Sequence, residues 1–224
     1  LNLLEALDRK GRWEDALRTA DLLAQASQAI DDPERVAEAW RRKGQILHRM
    51  GKFDPAMNEF NRAMRALAGR PESPESMCIL RELARVYFFT GELDLASKLC
   101  GRALAIAERL GLSGEIGQLL NLSANVHRMR GGIDEAVADY ERAYEVFHKA
   151  EDWRGLLSVM NNLGSILEST KDLDRGMDFK RKALELARKI GDVSFTGWLT
   201  MAIAVSHIHT GEWDLAEEEL TQAE

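Results

Sequence analysis

The chain has 224 residues, a formal net charge of −7, 45% apolar residues and 30% charged residues. That composition fills a hydrophobic core and argues against disorder. The acidic balance repels phosphate backbones, which sets general nucleic-acid binding aside.

Two cysteines, Cys78 and Cys100, form neither a CxxC pair nor a disulfide framework, so free thiols in a reducing, cytoplasmic compartment are expected. No apolar run approaches a membrane span, and Leu1 to Leu7 carry an acid with no basic stretch before them, unlike a signal peptide. The chain starts without Met and ends within a helical pattern, Thr221-Gln222-Ala223-Glu224, so it reads as a segment of a longer protein.

In chain order, one hexapeptide recurs six times in a 40-residue register without slip. It begins as Gly11-Arg12-Trp13-Glu14-Asp15-Ala16 and returns as Gly51-Lys52-Phe53-Asp54-Pro55-Ala56 and Gly91-Glu92-Leu93-Asp94-Leu95-Ala96. It then appears as Gly131-Gly132-Ile133-Asp134-Glu135-Ala136, Lys171-Asp172-Leu173-Asp174-Arg175-Gly176 and Gly211-Glu212-Trp213-Asp214-Leu215-Ala216. The Gly suits a left-handed helix end. The large apolar residue is expected to plug the turn, and the acid after it to sit at a helix N-terminus, where the dipole favours negative charge. The Ala permits a close helix crossing. The fifth copy, with Lys171 for Gly and Gly176 for Ala, should be the least regular.

Helical periodicity flanks every turn. Before the turn, Trp40, Gly44 and Leu47 recur as Leu80, Ala84 and Tyr87, with a small residue again at 124, 164 and 204. His127 and His207 take the buried large-residue slot. After the turn, Ala56, Phe60, Ala63 and Leu67 recur as Ala96, Cys100, Ala103 and Ala107, then as Ala136, Tyr140, Ala143 and Phe147. Lys180 holds the large apolar slot of the fifth copy, where its stem is expected to pack while its ammonium reaches water. Loops at Asp31-Asp32-Pro33, Gly69-Arg70-Pro71-Glu72-Ser73-Pro74, Gly111-Leu112-Ser113-Gly114 and Gly191-Asp192 close the units. Asp32 and Ser73 read as N-caps followed by Pro.

These residues, best shown by Trp40, Gly44, Gly51, Phe53, Ala56, Phe60 and Ala63, resemble the tetratricopeptide repeat family, whose usual unit is about 34 residues. The longer unit is similar to those of Pins/LGN polarity scaffolds, kinesin light chains and bacterial regulators. The resemblance covers the whole chain, and is specific for fold more than for function. It implies an all-α, right-handed solenoid of antiparallel helix pairs over residues 1–224, six repeats with truncated terminal ones. First helices would line a concave face. It also implies a protein–protein interaction scaffold with no catalytic site, a module of a larger, bacterial signalling protein. A regulatory arm of a signalling kinase or ATPase is the alternative. Self-association through apolar ends at Leu3-Leu4-Leu7 and Trp213-Leu215-Leu220 is a further one.

Helical spacing puts two polar rows on the open side of the first helices: Arg41, Arg81, Asn121 and Asn161, and one turn on Gln45, Arg85, Asn125 and Ser165. His48, Arg49, Arg128 and Asn162 lie beside them, and Trp198, Met201, Val205, Ile208 and His209 make the far end apolar. Arginine forks suit carboxylates, and asparagine offers a donor and an acceptor to a peptide backbone. The expected ligand is a peptide with acidic residues facing Arg41, Arg81 and Arg85. The competing reading is a solvated face with intramolecular ion pairs. The sequence holds no HExxH, CxxC, GxxxxGK[ST], GxGxxG or GxSxG motif, so neither metal, cofactor nor catalytic machinery is expected.

Overall fold

The computed structural model describes residues 2–70 and 72–221. Leu1, Pro71 of the 69–74 loop and residues 222–224 of the final helical pattern lie outside the described residues. Among the described residues there are twelve α-helices and no strand.

The first unit, Leu1–Leu112, stacks three hairpins. These are α1 (Asn2–Arg9) with α2 (Trp13–Ala29), α3 (Pro33–Arg49) with α4 (Phe53–Ala66), and α5 (Pro74–Thr90) with α6 (Leu93–Arg109). The second unit, Ser113–Glu224, holds α7 (Ser113–Arg130) with α8 (Ile133–Lys149), α9 (Trp153–Ser169) with α10 (Leu173–Ile190), and α11 (Val193–Thr210) with α12 (Trp213–Thr221). Within each unit every helix packs on its chain neighbour, the solenoid pattern of repeat proteins. Second helices begin at Trp13, Phe53, Leu93, Ile133, Leu173 and Trp213, so the sequence register is the structural register.

The turn works as its glycine requires. Gly11, Gly51, Gly91, Gly131 and Gly211 all have positive φ, from 69° to 83°. At α3 the backbone closes with Gly51 N–H on His48 O and Lys52 N–H on Leu47 O, both 2.9 Å, satisfying carbonyls the helix leaves open. Lys171 keeps the same geometry without being glycine: φ is 70°, with its N–H on Glu168 O at 3.0 Å and Asp172 N–H on Leu167 O at 2.9 Å. The fifth turn is therefore regular but strained. Lys171→Gly is expected to stabilise the second unit by about 1 kcal/mol, read as a higher urea midpoint at unchanged slope.

The large residue after the turn plugs it in only some copies: Phe53, Leu93 and Ile133 are half-buried, and Phe53 packs on the core of the first unit. Trp13, Leu173 and Trp213 open their helices on the surface. The acid that follows lies in the first helical turn, where it favours the dipole, but no side-chain cap forms at α2, α4, α6, α8 or α10. Capping belongs to the loops that lead into first helices. Asp32, Ser73, Asp152 and Asp192 accept from the backbone N–H groups of Arg35, Ser76, Gly155 and Phe195. The link at Glu151-Asp152 contains neither Gly nor Pro, and Glu151 takes φ 52°.

Small residues set the crossings. Ala56, Ala96 and Ala136 are fully buried. A Cβ on Gly44 would sit 2.5 Å from the Phe60 ring, and one on Gly164 would sit 2.7 Å from the carbonyl oxygen of Gly176. That oxygen is backbone and has little room to yield. Gly164→Ala is expected to cost about 1–3 kcal/mol, seen as a lower melting temperature, although Ala fills the same register at 84, 124 and 204.

The core of the first unit gathers Trp40, Phe60, Leu67, Ile79, Leu83 and Val86, with Leu4, Leu7, Ala16, Ala20 and Ile46 forming a smaller cluster at its start. In the second unit Tyr140, Phe147, Leu119, Leu157, Ile166 and Leu199 are buried.

Candidate functional site

The two polar rows do lie on first helices, but they divide by unit. In the first unit the arginines are occupied. Arg41 is 6% exposed; its Nε donates to Glu75 Oε1 at 2.5 Å and its Nη2 to Glu75 Oε2 at 3.1 Å. This forked pair ties α3 to α5. Burial opposes the charge on Arg41, but the hydrogen bonds and charge of Glu75 outweigh it and raise its proton affinity. Burial pushes the Glu75 carboxyl up, while Arg41 pulls it back.

A second buried carboxylate, Glu82, gathers the rest of the row. Gln45 Nε2 donates to its Oε1 at 3.1 Å, Arg81 Nη2 to the same oxygen at 3.3 Å, and Arg85 Nη1 lies 3.6 Å from Oε2. Burial alone would raise Glu82, yet Arg85, Arg81, Gln45 and Arg41 hold it below the usual carboxylate range. Arg49 pairs with Asp8 of α1. The expectation that Arg41 and Arg81 present free forks to a ligand is corrected here. Both are buried inside intramolecular ion pairs, because an arginine withdrawn from water must find a carboxylate. Arg85 keeps an outward part, its side chain 38% exposed.

His48 lies between Phe53 and Phe89, with ring centroids at 5.5 and 5.3 Å, and its Nε2 is buried without a partner. Burial and the nearby Arg85 push its pKa below the usual histidine value, with Glu82 opposing and Arg49 adding to the shift. A lowered histidine pKa means that the unfolded chain binds the proton more readily. The stabilising contribution is therefore complete above about pH 6.5 and is lost as pH falls through the depressed folded value. Thermal melts from pH 7.5 to 5 should fall more steeply for the wild type than for His48→Phe, the difference removing contributions from other histidines.

In the second unit the rows carry amides. Asn162 Nδ2 on α9 donates to Asn121 Oδ1 on α7 at 3.0 Å, bridging neighbouring first helices. Asn125 Nδ2 donates to the Asn121 backbone carbonyl at 2.8 Å, and the Tyr140 hydroxyl donates to Asn125 Oδ1 at 2.9 Å. Asn161 is buried with its Oδ1 unpartnered, while Ser165 and Arg128 are exposed. On α11, Trp198, Met201, Val205 and Ile208 form an exposed apolar strip, as the spacing predicts. His207 is buried and its Nδ1 lies 2.8 Å from Glu212 Oε2, whereas His127 is only half-buried. Cys78 and Cys100 are not joined in a disulfide, and burial pushes the Cys78 thiol up.

Residues of the tetratricopeptide repeat description are matched at 37–66, 75–149 and 115–189. The chain belongs to the tetratricopeptide repeat family. Tetratricopeptide repeats act as protein–protein interaction scaffolds, and the comparisons point to no catalytic family. The comparison with curated proteins gave no match.

Solved structures carry the same tetratricopeptide fold at low identity. BtubC from P. vanneervenii superposes with a TM-score of 0.80 at 20% identity, over 94% of this chain and 89% of its own. The signal transduction ATPase with a tetratricopeptide repeat sensor from Pyrococcus horikoshii gives 0.82 at 13%, over 99% of this chain but 34% of its own. A Rap protein complexed with competence and sporulation factor gives 0.74 at 15%, over 85% and 53%. Among the described residues no group of three or more His, Cys, Asp or Glu is placed to hold a metal, and no helix is long and apolar enough to cross a membrane.

Sequence reasoning missed Glu75 as the partner that consumes Arg41. An acid in the first turn of a helix looks like a dipole ligand, and nothing in its spacing marks it as reaching back to α3. It also missed the destination of Lys180. The ammonium does not reach water but lies buried, bonded to Glu168 Oε2 and Ser206 Oγ, each at 2.7 Å.

Proposed function

We propose that the chain grips a segment of a partner protein on the first-helix face of the second unit, whose amide side chains read the backbone of the bound segment. The observation that carries this reading is the bond between Asn162 and Asn121 across α9 and α7. It fixes the orientation of two amides whose remaining donors and acceptors suit a peptide group. Arg41 and Arg81 act as framework in this reading. Arg85 gives the first unit's own first-helix face an attraction for acidic residues, which salt would weaken. The complex of a Rap protein with competence and sporulation factor supports partner binding as a use of this fold.

Panning a displayed peptide library on the chain, then measuring the selected peptide, tests the reading. Asn162→Ala should weaken a peptide held by the second unit about ten-fold, and Arg85→Glu an acidic peptide held by the first, the worth of one hydrogen bond or charge contact, while Arg102→Ala on the second helix α6 should not. Loss at Arg102 with none at Asn162 would place binding on the other face.

The match of nearly the whole chain to 34% of a signal transduction ATPase with a tetratricopeptide repeat sensor favours a second reading, a regulatory arm of a larger signalling enzyme. In that case the selected peptides would resemble a segment of the same polypeptide. The exposed Trp213, Leu215 and Leu220 of α12 support self-association as a third. Light scattering that returns a monomer across concentration removes it.

A further inference from the structure

Two aromatic departures from the repeat meet in the second unit. Tyr144 on α8 takes the slot of Leu104 and Leu184 in the neighbouring copies, and Phe179 on α10 takes the slot of Asp139 and Glu219. Their rings meet edge to face, with centroids 6.4 Å apart and planes at 83°. Both line a cavity of about 840 Å³, with Leu120 of α7 and Met160 and Leu163 of α9 as buried apolar walls. The charges bordering it are unevenly matched. Its two cations are engaged, Lys182 at 2.6 Å from Asp178 and Arg142 at 3.7 Å from Asp139. Its two acids, Glu141 and Glu145, stand one turn apart on α8 and are exposed. Among the described residues neither acid enters a hydrogen bond or an ion pair. Glu141 takes the slot of Gly101 and Arg181, so the repeat itself does not ask for an acid there.

We propose that this cavity binds a small organic amine, its aromatic or alkyl body against Tyr144 and Phe179 and its ammonium at Glu141 and Glu145. The volume falls in the range of small-ligand sites. An apolar body gains by taking the two rings and the aliphatic walls out of water. The charge balance selects the class. Two carboxylates without partners attract an ammonium and repel a carboxylate, while the cations beside them are already held by aspartates. A free amine fits better than an extended peptide, whose backbone N–H and C=O groups would lie over Leu120, Met160 and Leu163 with nothing to pair them. Asn121, Asn125 and Asn162 are not among the walls. The inference therefore stands apart from the peptide reading.

Methyl resonances of Met160 and Val146, which both line the cavity, report binding during titration with 4-phenylbutylammonium, 4-phenylbutyrate and 4-phenylbutanol at neutral pH and low salt. The ammonium should give saturable shifts, and the carboxylate should bind at least about five-fold more weakly, the worth of charge contacts at exposed carboxylates. Added salt should narrow that gap. Glu141→Gln with Glu145→Gln changes two exposed side chains and should bring the ammonium and the carboxylate level, leaving the alcohol as it was. Ala138→Trp, at an exposed wall position, fills the cavity and should abolish the shifts with all three probes. Asn162→Ala should leave them unchanged, so a failure of the peptide reading would not carry this one with it. Equal binding of the carboxylate by the wild type, an ammonium preference that survives the double glutamine variant, shifts that survive Ala138→Trp, or no saturable shift up to the solubility of the amine would each overturn the proposal. So would tighter binding of acetyl-Phe-Lys-amide than of the free amine, which would make the cavity a peptide site.

Discussion

Ala96→Glu is expected to cost the first unit about 3–5 kcal/mol, a large share of the stability of an ordinary domain. Ala96 has no exposed surface and lies in the α5–α6 hairpin, four residues before the buried Cys100. A glutamate there buries a carboxylate with no cation designed for it, and its extra atoms must force apart a crossing shaped for a methyl group. Circular dichroism during urea titration reads the loss. Because repeat stability is a sum of local terms, the second unit should keep its own transition. An unchanged first-unit midpoint would mean that the register of small residues does not mark helix crossings.

The second large effect belongs to Arg41. Arg41→Ala should destabilise the first unit by about 3–5 kcal/mol, because it strands the Glu75 carboxylate in a site from which water is largely withdrawn. The side chains of the pair are only 7% and 13% exposed, so solvent screening discounts this figure little. The informative control is Arg41→Met with Glu75→Leu. Removing both charges should recover most of the loss, since a buried ion pair replaced by apolar residues is often neutral or better. The cycle separates a framework arginine from a ligand-binding one. If Arg41→Ala leaves the urea midpoint in place but weakens peptide capture, Arg41 recognises the partner after all.

The fold was legible because its signals are local and repeated. Glycines at 11, 51, 91, 131 and 211, each with positive φ, and small residues at fixed offsets specify hairpin after hairpin without long-range information. The caps at Asp32 and Ser73 were legible for the same reason, as short side chains acting three residues away. The site was legible only by face. Helical spacing places Arg41, Arg81, Asn121 and Asn161 in one row, but whether a row member meets solvent or a carboxylate depends on the neighbouring hairpin. Arg41 finds Glu75 thirty-four residues on, and Lys180 finds Ser206 twenty-six residues on. Periodicity cannot see such partners, and a charged residue in an apolar slot reads as a snorkelling side chain until its counter-ion is known. The departures of the fifth repeat, Lys171, Gly176 and Lys180, were visible in the alignment. Only packing shows that Gly176 makes room for Glu168 and that Lys180 answers it.

Hydrogen exchange on the chain bound to a selected peptide decides which helices hold the partner segment. Protection gained on α7, α9 and α11, centred on Asn121, Asn162 and Ser165 and leaving α8 and α10 unchanged, is the expected result. Protection gained on the second helices instead, with the amide rows exchanging as in the free chain, would contradict it.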